Sequence, residues 1–150
     1  MVLDIPYVSL THTLLSVKQQ VRDSLPYIHQ YIPRDIEDPE QLFYYLKDRT
    51  KFKKDPNNDE WIRTVQTLFN KYNGRGDCDC FTVLSLTSFI YLGYKPMYVM
   101  LSGATPVAPT HIYTAVYDRG INRIATFDLT NPDYDHERTY NFKQRLLFQL

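Results

Sequence analysis

The amino-acid sequence predicts an α+β fold in which the helices come first and a small antiparallel sheet follows. Apolar residues recur at helical spacing up to Tyr91, whereas β-branched and aromatic runs dominate after Pro96. The length of 150 residues suits one domain with a core of ordinary size. We therefore expect a central helix packed across the sheet, extra N-terminal helices and no parallel strands.

Four helices are predicted from apolar spacing and from their start and stop residues. The first spans residues 12–25 and ends at Pro26, and the fourth, the central helix, runs over residues 77–91 with Gly93 as its stop. Two shorter helices lie between them. The apolar positions of the first three helices are Leu14, Val17, Val21 and Leu25, then Leu42, Phe43 and Leu46, and finally Trp61, Val65, Leu68 and Phe69.

Three strands are predicted after the central helix, over residues 98–101, 112–117 and 124–127. Residues 102–109 and 131–136 between and after them are rich in turn-forming residues and are expected to be loops. We divide the chain into a helical extension at residues 1–41, a core at 42–140 and a tail at 141–150. The tail ends on apolar residues, so we expect it to dock on a partner or on the first helix.

Composition argues against several classes of function. Lys plus Arg and Asp plus Glu both number 17, and no basic stripe is long enough to track phosphates, so we expect no nucleic-acid partner. No segment approaches the roughly 20 apolar residues that span a bilayer, so we expect no membrane partner and a cytoplasmic location. The spacing of Cys78 and Cys80 disfavours a disulfide, and on a helix it points the two thiols apart, which argues against a metal site.

Cys78 is the candidate nucleophile. Asp77 is placed to cap the central helix, so Cys78 lies in its first turn, where free N–H groups and the helix dipole favour a thiolate. Gly74 and Gly76 let the chain pass close by without side chains. Two residues along a helix is a rotation of about 200°, which turns Cys80 toward another face. We expect Cys78 to be exposed and Cys80 to be packed.

His111 and Asp128 are the candidate acid–base partners. We expect Arg119 and Gly120 to form the centre of a tight turn, which pairs Asp118 with Ile121. The same register places His111 opposite Asp128, with the two side chains about 5 Å apart on one face of the sheet. The carboxylate would then orient the imidazole, whose other nitrogen takes the proton from the thiol. A slip of one residue would put the two side chains on opposite faces.

These residues resemble the transglutaminase-like superfamily, in the Gly-Asp-Cys version common in phages and prophages. The motifs are YNGRGDC at residues 72–78, THIY at 110–113 and FDLT at 127–130, and the resemblance covers residues 42–140. It implies a papain/transglutaminase-like core with Cys78, His111 and Asp128 as a catalytic triad. The sequence departs from the pattern at Cys80, where an acidic residue is usual, at Tyr113, where Trp is common, and at Leu129, which replaces Pro.

The resemblance implies acyl transfer from an amide of a protein or peptide substrate, without a cofactor. The Cys78 thiolate would attack the carbonyl, and His111 would protonate the leaving amine. Candidates for the second oxyanion donor or for the substrate groove are Asn73, Tyr72, Trp61 and Tyr113.

Two functions remain open at this point. One is a cysteine peptidase, amidase or acyltransferase. The other is a catalytically inactive module with a structural or binding role, for example among the structural proteins of a phage particle. A phage-encoded protein would act in the host cytoplasm or in the virion.

Overall fold

The computed structural model describes residues 7–54, 62–104 and 110–150 of the chain. Its helices precede its main sheet, which confirms the predicted α+β class. The helices are α1 (Tyr7–Ser24), α2 (Pro39–Lys47), α3 (Val65–Tyr72) and α4 (Cys78–Leu92), with a short 3₁₀ turn at Ile28–Gln30. The strands are β1 (Lys51–Phe52), β2 (Arg75–Gly76), β3 (Met97–Gly103), β4 (His111–Asp118), β5 (Arg123–Phe127) and β6 (Phe142–Leu147).

The helix boundaries follow from capping residues. At the start of α2 the Asp38 carboxylate accepts the Gln41 N–H at 2.8 Å, and Pro39 occupies the first turn, where its missing N–H costs nothing. Thr64 caps α3 in the same way. Asn73 ends α3 and Gly93 ends α4, both in the left-handed conformation that closes helices. No helix among the described residues combines the length and the apolar character needed to cross a membrane.

Helix α4 is the centre of the core, as predicted. Residues 78–89 are all buried, since α1, α3 and the sheet pack around the helix. Its hydroxyls are satisfied inside the helix: Thr82, Ser85, Thr87 and Ser88 each donate to the carbonyl four residues earlier, at 2.7 to 2.8 Å. A helix that buries every face can therefore carry these polar residues without unpaired donors.

The main sheet has four antiparallel strands in the order β5-β4-β3-β6. The prediction of three strands missed β6, because Lys143, Gln144 and Arg145 give its middle a polar character. The tail nevertheless docks within the molecule: Leu146 packs against the core and Phe148 belongs to it. Residues 146–149 also face α1 across an apolar groove.

The expectation of no parallel strands was wrong. β1 and β2 form a two-stranded parallel pair with Lys51 opposite Arg75. The Lys51 N–H donates to the Gly74 carbonyl at 3.0 Å, and the Lys53 N–H donates to the Gly76 carbonyl at 2.7 Å. Strands of two residues carry no periodic pattern, so sequence spacing could not reveal them.

The predicted register of β4 and β5 was also wrong, by two residues. Asp118 pairs with Arg123 instead of Ile121, because the connection is a four-residue loop rather than a two-residue turn. Asn122 takes a left-handed conformation (φ 54°), and the Gly120 N–H donates to the Asp118 carboxylate at 2.8 Å. A shift of two residues preserves the face of every side chain, so His111 and Asp128 still lie on one side.

Candidate active site

Cys78 is the first residue of α4, directly after Asp77 at the N-cap position. It is only 1% exposed, so the expectation of an exposed thiol was wrong. The thiol is covered because Ile112 of β4 and the segment after β5 close over the start of the helix, as the crevice they line together shows. Long-range packing, which a local motif cannot report, therefore decides the exposure of Cys78.

The surroundings of Cys78 favour the protonated thiol. Burial is the largest cause that raises the pKa of Cys78, and the charge of Asp79 adds to it. The Cys78 thiol donates a hydrogen bond to the Asp79 carboxylate, with 3.7 Å between sulfur and oxygen. The main-chain N–H of Ile112 acts in the opposite sense and lowers the pKa of Cys78, but burial outweighs it. These surroundings act against the thiolate that was expected from the helix N-terminus.

Cys80 is packed, as expected. Burial and then the charge of Asp77 raise the pKa of its thiol to about 11. The Arg63 guanidinium lies 3.5 Å from its sulfur. A β-carbon added at Gly76 would come within 2.9 Å of the Cys80 β-carbon, which explains why glycine occupies that position.

His111 and Asp128 are in direct contact. His111 begins β4, Asp128 follows β5, and the imidazole Nε2 lies 2.8 Å from the Asp128 Oδ2. The two side chains are 12% and 3% exposed. Because an ionised carboxylate only accepts, Nε2 is the donor, and Nδ1 of the neutral ring is left to accept a proton.

The Asp128 carboxylate is itself held in place. Its Oδ1 accepts the Thr130 N–H at 3.0 Å and the Thr130 hydroxyl at 2.7 Å. The Lys47 ammonium at the end of α2 donates to the Leu129 carbonyl at 2.9 Å. Burial raises the pKa of Asp128, but the hydrogen bonds and charge of His111 and the bonds from Thr130 outweigh it and lower the pKa below its usual value. Asp128 is therefore an ionised carboxylate.

Cys78 and Asp128 line one narrow crevice between α4 and the sheet. The crevice is nowhere wide enough to admit a water molecule. Thr82 and Ser85 of α4 and Ile112 and Tyr113 of β4 line it as well. The sulfur of Cys78 is therefore shielded from solvent.

The other candidates from the sequence have different surroundings. Asn73 is exposed and ends α3 in a left-handed conformation. Tyr72 is half-buried, and the Arg63 guanidinium lies over its ring, 3.9 Å from the ring centre. Tyr113 is buried and stacks on His111 with 5.2 Å between ring centres. Trp61 lies outside the described residues. In the described part of the chain no group of three His, Cys, Asp or Glu side chains could hold a metal ion.

Sequence reasoning missed three residues beside the candidate site. Thr130 was part of a motif, but its hydrogen bonds to Asp128 were not foreseen. Glu137 and Tyr140 lie in the connector between β5 and β6, where no periodic pattern singles them out. They contact Tyr113 and, in the case of Tyr140, also His111.

The sequence matches no protein-family model, and no curated protein is significantly similar to it. Solved structures do share its arrangement of helices and strands. A candidate cysteine protease from Cytophaga hutchinsonii superimposes with a TM-score of 0.51 at 12% identity, over 75% of this chain and 38% of that chain. This chain has the same α+β fold as that structure.

Two further solved structures superimpose on this chain with lower TM-scores. Calcium-bound LapG of Legionella pneumophila gives a TM-score of 0.48 at 16% identity, over 82% of this chain and 66% of LapG. A TGase gives 0.45 at 14% identity, over 84% of this chain and 35% of that protein. The chain thus spans less than half the length of the Cytophaga protein and of the TGase.

Proposed function

We propose that this protein is a cysteine-dependent acyl transferase or hydrolase that acts on an amide of a protein or peptide, with Cys78, His111 and Asp128 as its catalytic residues. The observation that carries the proposal is the 2.8 Å bond between His111 and Asp128, at a crevice that Cys78 and Asp128 line together. An ionised carboxylate that holds one imidazole nitrogen fixes the ring so that the other nitrogen can take a proton.

The first half of the reaction forms a thioester. His111 Nδ1 removes the proton of the Cys78 thiol as the sulfur attacks the substrate carbonyl carbon, and an S–C bond forms. The C–N bond of the amide then breaks, and the imidazolium returns its proton to the leaving amine. In the second half, water or another amine attacks the thioester, the S–C bond breaks, and the sulfur regains a proton. No redox partner is required.

His111 acts here as a general base rather than as half of a preformed ion pair. Burial and Asp79 raise the pKa of Cys78, so the free thiolate is scarce at neutral pH. The developing imidazolium is stabilised by Asp128, whose carboxylate stays ionised because its pKa is lowered. The proton therefore moves during the attack.

The thioester intermediate offers a direct test. Wild-type protein is incubated with an activated ester, such as a p-nitrophenyl ester, and the reaction is stopped with acid so that a mass spectrometer can locate the acyl group. We expect the acyl group on Cys78 in the wild type and in Cys80→Ser, much slower acylation in His111→Ala, and none on that peptide in Cys78→Ala. Acylation that is equally fast in His111→Ala would refute the proposed roles.

Burial of Cys78 favours a second candidate function, an inactive structural module. In a crevice that admits no water, a thiol is also a small apolar filler. The phage-type Gly-Asp-Cys sequence suggests a phage particle as one setting for such a module. Cys78→Ser separates the two functions: an enzyme loses its activity in the source system, whereas a structural module keeps its role.

A further inference from the structure

Three aromatic rings form a cluster beside the candidate base. His111 and Tyr113 are stacked, with 5.2 Å between their centres and 20° between their planes. Tyr140 packs against both, 6.2 Å from His111 and 6.0 Å from Tyr113. The orientation of the imidazole therefore depends on that of the tyrosine beneath it, as well as on Asp128.

Tyr113 is fixed by a carboxylate from a distant part of the chain. Its ring is 2% exposed, and its hydroxyl donates to the Glu137 carboxylate at 2.6 Å. Burial and then this hydrogen bond raise the pKa of Tyr113, so the phenol keeps its proton and remains the donor. A short bond from a buried hydroxyl to a charged acceptor is stronger than one between neutral groups.

Glu137 is in turn held by the edge of the sheet. The other carboxylate oxygen of Glu137 accepts a hydrogen bond from the Lys143 ammonium of β6 at 2.7 Å. The chain of contacts thus runs from Lys143 through Glu137 and Tyr113 to the face of the His111 ring. None of these three residues needs to contact a substrate for the chain to set the position of the imidazole.

We propose that Glu137 is a positioning residue for His111 and acts through Tyr113. Glu137 holds the Tyr113 hydroxyl, and the Tyr113 ring then keeps the imidazole in the orientation in which it also bonds to Asp128. The inference rests on the proposed function, because it assigns His111 as the base. Asp128 restrains the ring at Nε2, and Tyr113 restrains its tilt. An electron-rich phenol ring against the imidazole also favours the imidazolium that forms during attack.

The test combines two readouts on Tyr113→Phe, Glu137→Ala and the double variant. The first is nitrogen NMR of the His111 ring, identified by its loss in His111→Ala, which reports the tautomer and ring mobility without any substrate. The second is the rate of Cys78 alkylation by iodoacetamide. Tyr117→Phe is the matched control, since Tyr117 lies on the same strand and also donates its hydroxyl, but to Asn122.

We expect the wild type to show one sharp tautomer with the proton on Nε2, and each single variant to broaden or shift that signal. Alkylation should fall about tenfold in each, the factor that corresponds to one hydrogen bond. Because both substitutions break the same link, the double variant should be no slower than either single one. Tyr117→Phe should match the wild type in both readouts.

The outcomes separate this proposal from the proposed function. If wild-type alkylation does not depend on His111, the proposed function fails, whatever Glu137 does to the ring. If it depends on His111 but both variants leave the NMR signal and the rate unchanged, the positioning role of Glu137 is overturned. Additive losses in the double variant would also overturn it. Should Glu137→Ala fail to fold, Tyr113→Phe, which keeps the buried ring, decides alone.

Discussion

Asp128 is the carboxylate that holds His111, at 2.8 Å, while Thr130 donates two hydrogen bonds to its other oxygen. Its pKa is lowered in the folded chain. An acid with a lowered folded pKa stabilises the fold above its unfolded pKa, and this contribution is lost as the pH falls through the folded value. Asp128 therefore makes the stability of the fold depend on pH in the acid range.

We expect Asp128→Asn to lower the free energy of unfolding at neutral pH by about 2 kcal/mol, the usual contribution of a hydrogen bond to a charged group. The same variant should lose less stability than the wild type as the pH falls below about 4. Urea unfolding across this range measures both effects. Asp133→Asn, at an exposed carboxylate, is the control. Parallel pH curves for the wild type and Asp128→Asn would contradict this assignment.

At the scale of elements, the turn before Cys78 depends on a close approach between two chain segments. Gly74 has φ +80°, and a β-carbon there would lie 2.1 Å from the Arg49 carbonyl oxygen. Gly93 has nearly the same φ, +78°, but a β-carbon there would meet nothing within 4 Å. Comparing alanine substitutions at Gly74 and Gly93 therefore separates the cost of a left-handed backbone from the cost of the clash with Arg49.

We expect Gly93→Ala to lower the free energy of unfolding by about 1 kcal/mol, the cost of a left-handed alanine. Gly74→Ala should lower it by about 3 kcal/mol or more, because the backbone of β1 and β2 must also move. Urea denaturation of both variants provides the comparison. Equal losses would show that the contact with Arg49 does not matter.

Strand β6 is the other element with a testable role, since it attaches the tail to the core. Phe148, directly after β6, is 8% exposed and belongs to the core, whereas Leu147 beside it is 57% exposed. Phe148→Ala should destabilise the fold by about 3 kcal/mol through lost burial and a new cavity. Leu147→Ala should change stability by less than about 0.5 kcal/mol. Thermal or urea unfolding that ranks them in the reverse order would contradict the placement of β6.

At the scale of the whole molecule, the central helix and strands β3, β4 and β5 could be predicted because their patterns are long and the caps of the helix are local. Strands β1, β2 and β6 could not, since two-residue strands have no period and Lys143 to Arg145 look like solvent-facing residues. The contact between His111 and Asp128 could be predicted although the loop at residues 119–122 shifted the register, because a shift of two residues keeps each side chain on the same face of the sheet.

The burial of Cys78 is a property of the whole molecule as well. Helix α4, strand β4 and the residues after β5 together close the crevice around its sulfur, and these segments are far apart in sequence. A helix-start motif reports the position of a thiol but not what packs over it. For the same reason Glu137, 24 residues from Tyr113, was invisible before the fold was known.

The most direct test of the central claim is the alkylation rate of each cysteine by iodoacetamide near neutral pH, resolved by mass spectrometry in the wild type and in His111→Ala. If His111 is the base for Cys78, the variant should slow Cys78 by at least about tenfold while Cys80 is unchanged. If Cys78 reacts at the same rate with and without His111, the imidazole takes no proton from the thiol and the enzymatic account is wrong.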